Sequence, residues 1–357
     1  MLTSFINKYL KFFTRPHTPL FANIDLTMKC NSRCKFCTRW TDNYELGSYS
    51  KEKCRELKTK EVFTVVDNVA KFPVLNVTFQ GAEVLLREDL PKILEYSKER
   101  GLYTHIITNG LLLEKRAEEI APFIDWILVS YDTPIKKDYK YLRGVDALQI
   151  VERGIKKIVE LSKIHKFLVI TNTVLTNINA NYIDKVVKRG FEYLKVHGMS
   201  FEELLTFDDI RCTWRDLKIK LENQFDSVVS KLKEFKKTYP IMNSNFYLNH
   251  LIKRSPYLCK PYLFLMVNAD GKVNIPCVGF PRKTLDFTKQ NVYKDWYSDE
   301  NIWNINCNIC TMQCIIEVSK MFPIPPISMF IDWVNGISRA KSRMEHMSLQ
   351  STQIRSY

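Results

Sequence analysis

The segment CNSRCKFC (30–37) places Cys30, Cys34 and Cys37 in the spacing C-x3-C-x2-C. Thiolates this close in sequence wrap one short loop around a corner of a metal centre. Three ligands fall one short of a tetrahedral zinc site or a four-cysteine iron–sulfur site, so one coordination position stays open. Zinc would need a fourth ligand, and the nearest histidine, His17, lies upstream. Asn31, Ser32, Arg33 and Lys35 make the loop polar, which argues against three thiols packed in a core. Five more cysteines, Cys259, Cys277, Cys307, Cys310 and Cys314, fall in one stretch near the end of the chain. Four of them would complete a second iron–sulfur centre; a zinc knuckle is the alternative, because C-x2-C serves both metals. Cys54 and Cys212 stand alone.

The elements that must position these residues follow from periodicity. Residues 20–28, 74–80, 102–108, 125–131, 166–175 and 193–199 are short, apolar and rich in β-branched or aromatic residues, the pattern of strands. Between them lie stretches with apolar residues at three- and four-residue spacing, the pattern of helices. Six such repeats imply a parallel sheet, either open or curled into part of a β/α barrel, with the chemistry at the carboxyl ends of its strands. The first cysteine loop directly follows the first strand. Beyond residue 200 the pattern changes: a charged helical stretch spans 213–237, and two apolar runs flank Asn268-Ala269-Asp270-Gly271. That is the signature of a hairpin, bracketed here by Cys259 and Cys277.

With Phe36 as its aromatic residue, the triple C-x3-C-x-aromatic-C at the end of a first strand resembles the hallmark of the radical S-adenosylmethionine (SAM) superfamily. Companion motifs follow in order, each after an expected strand. Gln80-Gly81-Ala82-Glu83 is similar to the family's Gly-Gly-Glu, with Ala82 departing by one methyl group. Thr108-Asn109-Gly110 ends the third strand, Ser130 and Asp132 end the fourth, and Arg143 stands in YLRG. The resemblance covers about residues 20–200. It implies an α/β fold, a partial (β/α)6 barrel, with a [4Fe-4S] cluster on Cys30, Cys34 and Cys37 whose fourth iron is chelated by SAM. It also implies cofactor contacts at Phe36, Gly81, Ala82, Glu83, Asn109, Ser130, Asp132 and Arg143, and an electron donor such as ferredoxin or flavodoxin. Reductive cleavage of SAM would yield a 5′-deoxyadenosyl radical that takes hydrogen from an unactivated C–H bond. The later cysteines are similar to the auxiliary-cluster extensions called SPASM and twitch domains: a Cys, a hairpin with Gly271 near its turn, a second Cys, then a compact group. Five cysteines against the seven of a full SPASM pattern imply a shortened form with a second Fe-S cluster on Cys259, Cys277, Cys310 and Cys314, with Cys307 a further candidate.

The expected organisation is a basic amphipathic segment (1–19), the barrel and its following helix (20–237), the small Cys-rich extension (238–318) and a basic amphipathic tail (319–357). A chain of 357 residues with 45% hydrophobic and 26% charged residues can bury a core, which excludes a disordered chain. Ten cysteines are too few for a disulfide scaffold of this length. Neither a signal peptide nor a membrane-spanning run is expected, so a cytoplasmic location is the default. The net charge of +14 favours polyanions, phosphate-bearing substrates or anionic membranes. It is concentrated at both ends: Lys8, Lys11 and Arg15 beside Leu2, Phe5, Ile6, Tyr9, Leu10 and Phe13, and Arg339, Lys341 and Arg343 beside Met329, Phe330, Trp333, Val334 and Ile337. Two such ends point to peripheral contact with the cytoplasmic face of a membrane. The leading expectation is therefore a radical SAM enzyme acting on a lipid, for example in archaeal lipid headgroup modification such as calditol formation. The alternatives are a SPASM-type peptide or protein maturase and a non-enzymatic zinc-binding scaffold. Nucleic acid is not an expected partner, because no RNA-binding module is recognisable.

Overall fold

A computed structural model describes residues 15–37, 55–204, 217, 222–254, 257–277, 280–304, 313–321 and 327–354. Its strands are β1 (Phe21–Asp25), β2 (Asn76–Gln80), β3 (Thr104–Thr108), β4 (Trp126–Ser130), β5 (Leu168–Leu175), β6 (Gly198–Glu203), β7 (Phe264–Val267), β8 (Lys272–Cys277) and β9 (Phe280–Asp286). The helices are α1 (Thr59–Ala70), α2 (Leu90–Glu99), α3 (Leu113–Ile120), α4 (Lys136–Arg143), α5 (Leu148–His165), α6 (Ile183–Lys188), α7 (Glu222–Thr238), α8 (Asn245–Lys253), α9 (Val292–Trp296), α10 (Gln313–Met321) and α11 (Ile327–Ile354). Parallel strands alternating with helices give the α/β partial-barrel class. The chain forms two compact units: Met1–Cys30, Asp42–Ile107 and Leu258–Ile309 make the first, and Asn31–Thr41, Thr108–Tyr257 and Cys310–Tyr357 the second.

In the first unit the parallel strands run β3-β2-β1-β7. The expected hairpin is corrected here. Asn268 N donates to Lys272 O at 2.8 Å and Gly271 adopts φ +82°, so the chain does reverse. Yet β7 pairs in parallel with β1, and β8 pairs antiparallel with β9. The cause is composition: Phe264-Leu265-Met266-Val267 is apolar on both faces, as a buried parallel strand must be, and Phe264 stacks on Phe21 at 5.3 Å. Entry into β1 is fixed by Trp296 Nε1, which donates to His17 O at 2.8 Å, and by Arg15 over the Tyr297 ring at 3.8 Å. Residues 1–14 of the expected amphipathic segment lie outside the described residues.

In the second unit the parallel order is β4-β5-β6. Residues 193–197, expected to lie in the sixth strand, instead close a π-helical turn over Arg189–Tyr193 and turn through Lys195 at φ +59°. Pairing therefore begins at Gly198 and runs on into Glu202 and Glu203, whose charges hide the strand from a hydrophobic pattern. Of the charged stretch expected to be helical over 213–237, Glu222–Thr238 is helical, and residues 213–216 and 218–221 lie outside the described residues. β6 is an edge that could template further pairing. It is covered by Met199 N to Pro240 O (3.1 Å) and Met242 N to Met199 O (2.8 Å). The fully buried Asn243 then acts as one more strand residue: its Oδ1 accepts from Phe201 N at 2.9 Å and its Nδ2 donates to Phe201 O at 2.8 Å.

Of the apolar residues expected to line the tail, Met329 is buried and Val334 exposed, and the side chains of Phe330 and Trp333 lie outside the described ones. Ala340 and Met344 of α11 pack on Leu168 and Ile170, with Trp126, Leu128 and Met242 around them, sealing the amino-terminal end of this sheet face. Arg339 donates to Lys236 O (2.6 Å) and Lys237 O (3.2 Å), and Arg343 donates to Val196 O (3.0 Å) and Phe191 O. These guanidinium groups satisfy carbonyls that the preceding helices leave open. Burial lowers the pKa of Arg343 below its ordinary value, with the Tyr239 charge opposing. Among the described residues no helix is long and apolar enough to cross a membrane. Replacing Asn243 by Ala should cost about 2 kcal/mol, since both bonds to β6 lie in a dry site. Urea unfolding measures this, and an unchanged midpoint would show that the edge does not depend on the side chain.

Candidate functional site

In the first unit the chain leaving β1 is held on the turn that follows β2. Ala82 N donates to Thr27 O at 2.8 Å, and Glu83 N donates to Lys29 O at 2.9 Å, one residue before Cys30. Gly81 is where a methyl group would matter: a Cβ there would lie 2.6 Å from Thr27 O. The departure at Ala82 is thus accommodated one position beyond the tight contact. Glu83 is buried, and its Oε1 accepts from Leu85 N at 3.0 Å, capping the short turn Val84–Leu86.

In the second unit the rest of the cysteine loop leans on the end of α4. Arg33 N donates to Arg143 O (3.1 Å), Lys35 N to Leu142 O (2.9 Å) and Ser32 Oγ to Arg143 O (2.7 Å). Gly144 makes this approach possible. It closes α4 at φ +69°, and a Cβ there would lie 2.3 Å from Arg33 O. Arg143 is buried, with Nε 2.6 Å from Asp132 Oδ2 in an ion pair too bent to count as a hydrogen bond. Its Nη1 lies 3.7 Å from Cys34 Sγ, and its guanidinium sits 5.3 Å from the centre of the Phe36 ring. Burial works against the charge of Arg143, but Asp132, Cys34 and Tyr139 outweigh it and raise the pKa above the ordinary value. Phe36 also packs on Leu142, Leu204 and Leu217, an apolar seat that accounts for an aromatic residue in a polar loop. Asp132 accepts from Val174 N at 2.9 Å. Asn109 donates to Asn31 Oδ1 (2.8 Å) and accepts from Leu111 N (2.9 Å), and Ser130 stands half-buried at the end of β4.

Motif reading marked Ser130 but missed the polar residues that stand beside it in this unit. Ser130 pairs with Asn172, Asn172 with Ser200, and Val174 with Glu202, so Ser130, Asn172, Ser200 and Glu202 share one sheet face at its carboxyl end. The same face is apolar at the other end, where α11 seals it. Burial raises the pKa of Glu202; a hydrogen bond with Asn172 opposes the rise, and the charges of Glu317 and Asp132 add to it. Asn172 retains a buried Oδ1 with no hydrogen-bond partner among the described residues. A bound donor would relieve that atom. The available signal was Ser130, Asn172 and Ser200 interrupting otherwise apolar strands near their ends.

Cys30, Cys34 and Cys37 are half-buried and not disulfide-bonded. Three soft thiols on one short loop suit an iron–sulfur cluster that leaves an iron open. Among the described residues no three His, Cys, Asp or Glu side chains are already gathered around one point. Cys259 and Cys277 in the first unit are also half-buried and not disulfide-bonded, with Cys277 ending β8 opposite Phe280. Cys307 and Cys310 lie outside the described residues, and of Cys314 only the backbone, in α10, is described.

The loop after β1, the glycine-bearing turn after β2 and the polar strand ends belong to a recognisable class: residues 24–190 match the radical SAM superfamily, and the chain carries a radical SAM domain. Over 140 residues it is 31% identical to a probable GTP 3′,8-cyclase of Methanococcus maripaludis, covering 39% of this chain and 45% of the relative. Over 133 residues it is 33% identical to the PqqA peptide cyclase of Granulibacter bethesdensis, covering 37% and 34%. The chain thus spans less than half the length of these curated relatives. Among solved structures, Streptococcus suis SuiB bound to its precursor peptide SuiA superposes with a TM-score of 0.64 at 17% identity, over 92% of this chain and 79% of that one. The enzyme anSMEcpe with bound AdoMet superposes with a TM-score of 0.60 at 19% identity, over 94% and 100%. At such identities these two share the fold.

Two measurements probe this geometry. Gly144→Ala should destabilise the protein by at least ~1 kcal/mol, because it adds both a Cβ at positive φ and a backbone clash; a wild-type melting temperature would refute the close approach. A raised carboxyl pKa favours folding while Glu202 is protonated, and that contribution is lost as pH rises through its folded-state pKa. Glu202→Gln should therefore gain stability relative to wild type as pH increases above the ordinary glutamate range, read from melts over a pH series. A pH-independent difference would show that Glu202 is not held protonated.

Proposed function

We propose that this chain is a radical SAM enzyme that modifies a peptide or protein. The observation that carries the reading is the cysteine loop itself, whose backbone is held before Cys30 by the turn after β2 and beyond it by the end of α4. Cys30, Cys34 and Cys37 would hold a [4Fe-4S] cluster. With SAM on that cluster, the site would supply a 5′-deoxyadenosyl radical for hydrogen abstraction from an unactivated C–H bond. The protein's part is placement and exclusion of water. Phe36 fixes the loop on an apolar seat, and Arg143 brings a buried positive charge beside Cys34. Gly81 and Glu83 shape one cofactor-facing turn, while Asn109, Ser130 and Asp132 mark the strand ends that would meet the rest of SAM. A ferredoxin- or flavodoxin-type donor would supply the electron.

A peptide substrate is supported by the shared architecture with SuiB and anSMEcpe, which runs far past residue 190 and includes structures bound to peptides. The PqqA peptide cyclase points the same way. The lipid reading drew on two basic amphipathic ends, and in the tail Arg339 and Arg343 are turned to backbone carbonyls. Residues 238–318 would form the auxiliary extension, with Cys259, Cys277, Cys310 and Cys314 on a second cluster. Anaerobic reconstitution should yield roughly eight irons per chain, four per cluster. Zinc without iron would defeat the proposal. Alanine at any one of Cys30, Cys34 or Cys37 should abolish 5′-deoxyadenosine formation, whereas Cys314→Ala should keep SAM cleavage and lose product.

A further inference from the structure

The three residues that precede Cys30 are held by a side chain far along the sequence. Glu56 Oε1 accepts from Thr27 Oγ1 at 2.6 Å and from Met28 N at 2.8 Å, and Thr27 Oγ1 in turn accepts from Lys29 N at 3.0 Å. Thr27 O and Lys29 O are the acceptors for Ala82 N and Glu83 N. One carboxylate oxygen therefore fixes the turn that carries the first cysteine on one side and receives the Gly81–Glu83 turn on the other. Glu56 is itself held in place. Arg87 Nη1 donates to Leu57 O (2.9 Å) and Leu26 O (3.1 Å), Arg87 forms a two-point pair with Asp89, and Thr59 Oγ1 donates to Asp89 Oδ2 at 2.6 Å. Residues 56–59 are thereby latched to the end of β1, and the N–H and hydroxyl groups that enter the cysteine loop have partners before any cofactor arrives.

We propose that Glu56 is a positioning residue that sets Cys30 and the Gly81–Glu83 turn in one register, a role that rests on the cluster and SAM reading above. Because both bonds end on the same oxygen, a glutamine carbonyl can replace it and an alanine cannot. In the metal-free full-length chain, Glu56→Ala should raise the rate of Cys30 alkylation by iodoacetamide on the order of tenfold through local opening. Cys259 serves as the internal control and should be unaffected, and Glu56→Gln should stay near wild type. Thr27→Val, which breaks the same relay from the other side, should reproduce the alanine result. After anaerobic reconstitution, Glu56→Ala should also weaken the change that added SAM produces in the electron paramagnetic resonance spectrum of the reduced cluster, with Glu56→Gln restoring it.

Wild-type Cys30 reactivity in both Glu56→Ala and Thr27→Val would overturn the proposal, as would equal acceleration at Cys259, which marks general loosening. Glu56→Gln behaving like alanine would refute the shared-acceptor geometry. A wild-type chain that takes up no iron would instead overturn the cluster reading, while the metal-free alkylation rates would still decide the role of Glu56.

Discussion

A short irregular loop that carries three cysteines closes few of its own backbone hydrogen bonds, so it must borrow partners, and the structure is arranged around that need. Of the backbone-to-backbone bonds described for residues 26–37, Cys37 N to Cys34 O is internal and the others are made with Gln80, Ala82 and Glu83 at and after the end of β2 and with Leu142 and Arg143 at the end of α4, while the Glu56 and Arg87 side chains add further partners. Two glycines fall where this borrowing brings backbones closest, Gly81 against Thr27 and Gly144 against Arg33. A side chain at either point would separate the loop from the groups that define its shape.

The buried pair of Arg143 and Asp132 extends the same logic into charge. Taking two ions out of water costs more than an isolated pair returns, so such pairs persist where further contacts use them. Asp132 also accepts from Val174 N, and Arg143 also faces Phe36 and Cys34 while its carbonyl receives Ser32 and Arg33. One ion pair thus joins the end of β4, the end of α4 and the cysteine loop. Ser130, Asn172, Ser200 and Glu202 line the adjoining strand ends, where an α/β sheet places its ligands.

Much of this was legible in the sequence, and the exceptions have physical causes. β1 to β5 declared themselves because each is a short apolar run between turn residues. β6 is displaced because a π-helical turn and the positive φ of Lys195 use up residues whose composition reads as strand. β7 looked like half of a hairpin because local turn chemistry is visible, whereas the preference of a doubly apolar strand for β1 depends on a partner more than two hundred residues away. The motif residues Cys30, Gly81, Glu83 and Arg143 stood out by spacing. Glu56 and Asn243 did not: an acidic residue before a helix and an asparagine between two helices are ordinary until the groups they bond are known.

Net charge was the least informative signal, and the structure shows why. A surplus of basic residues was read as a field seeking an anionic partner, but several of the arginines serve as hydrogen-bond donors to the protein's own carbonyls. Arg87 binds Leu26 and Leu57, Arg282 reaches Ile302 O at 3.4 Å, and Arg339 and Arg343 bind the segments beneath α11. A planar group with five donors is suited to this work wherever helix ends leave several acceptors open at once. Such an arginine counts in full toward net charge while its donors are committed within the fold. The tail read as amphipathic because a helix that seals a sheet end and caps neighbouring carbonyls needs apolar and basic residues side by side, as a membrane-surface helix also does. For Arg339 and Arg343 the acceptors described are carbonyls of the protein itself.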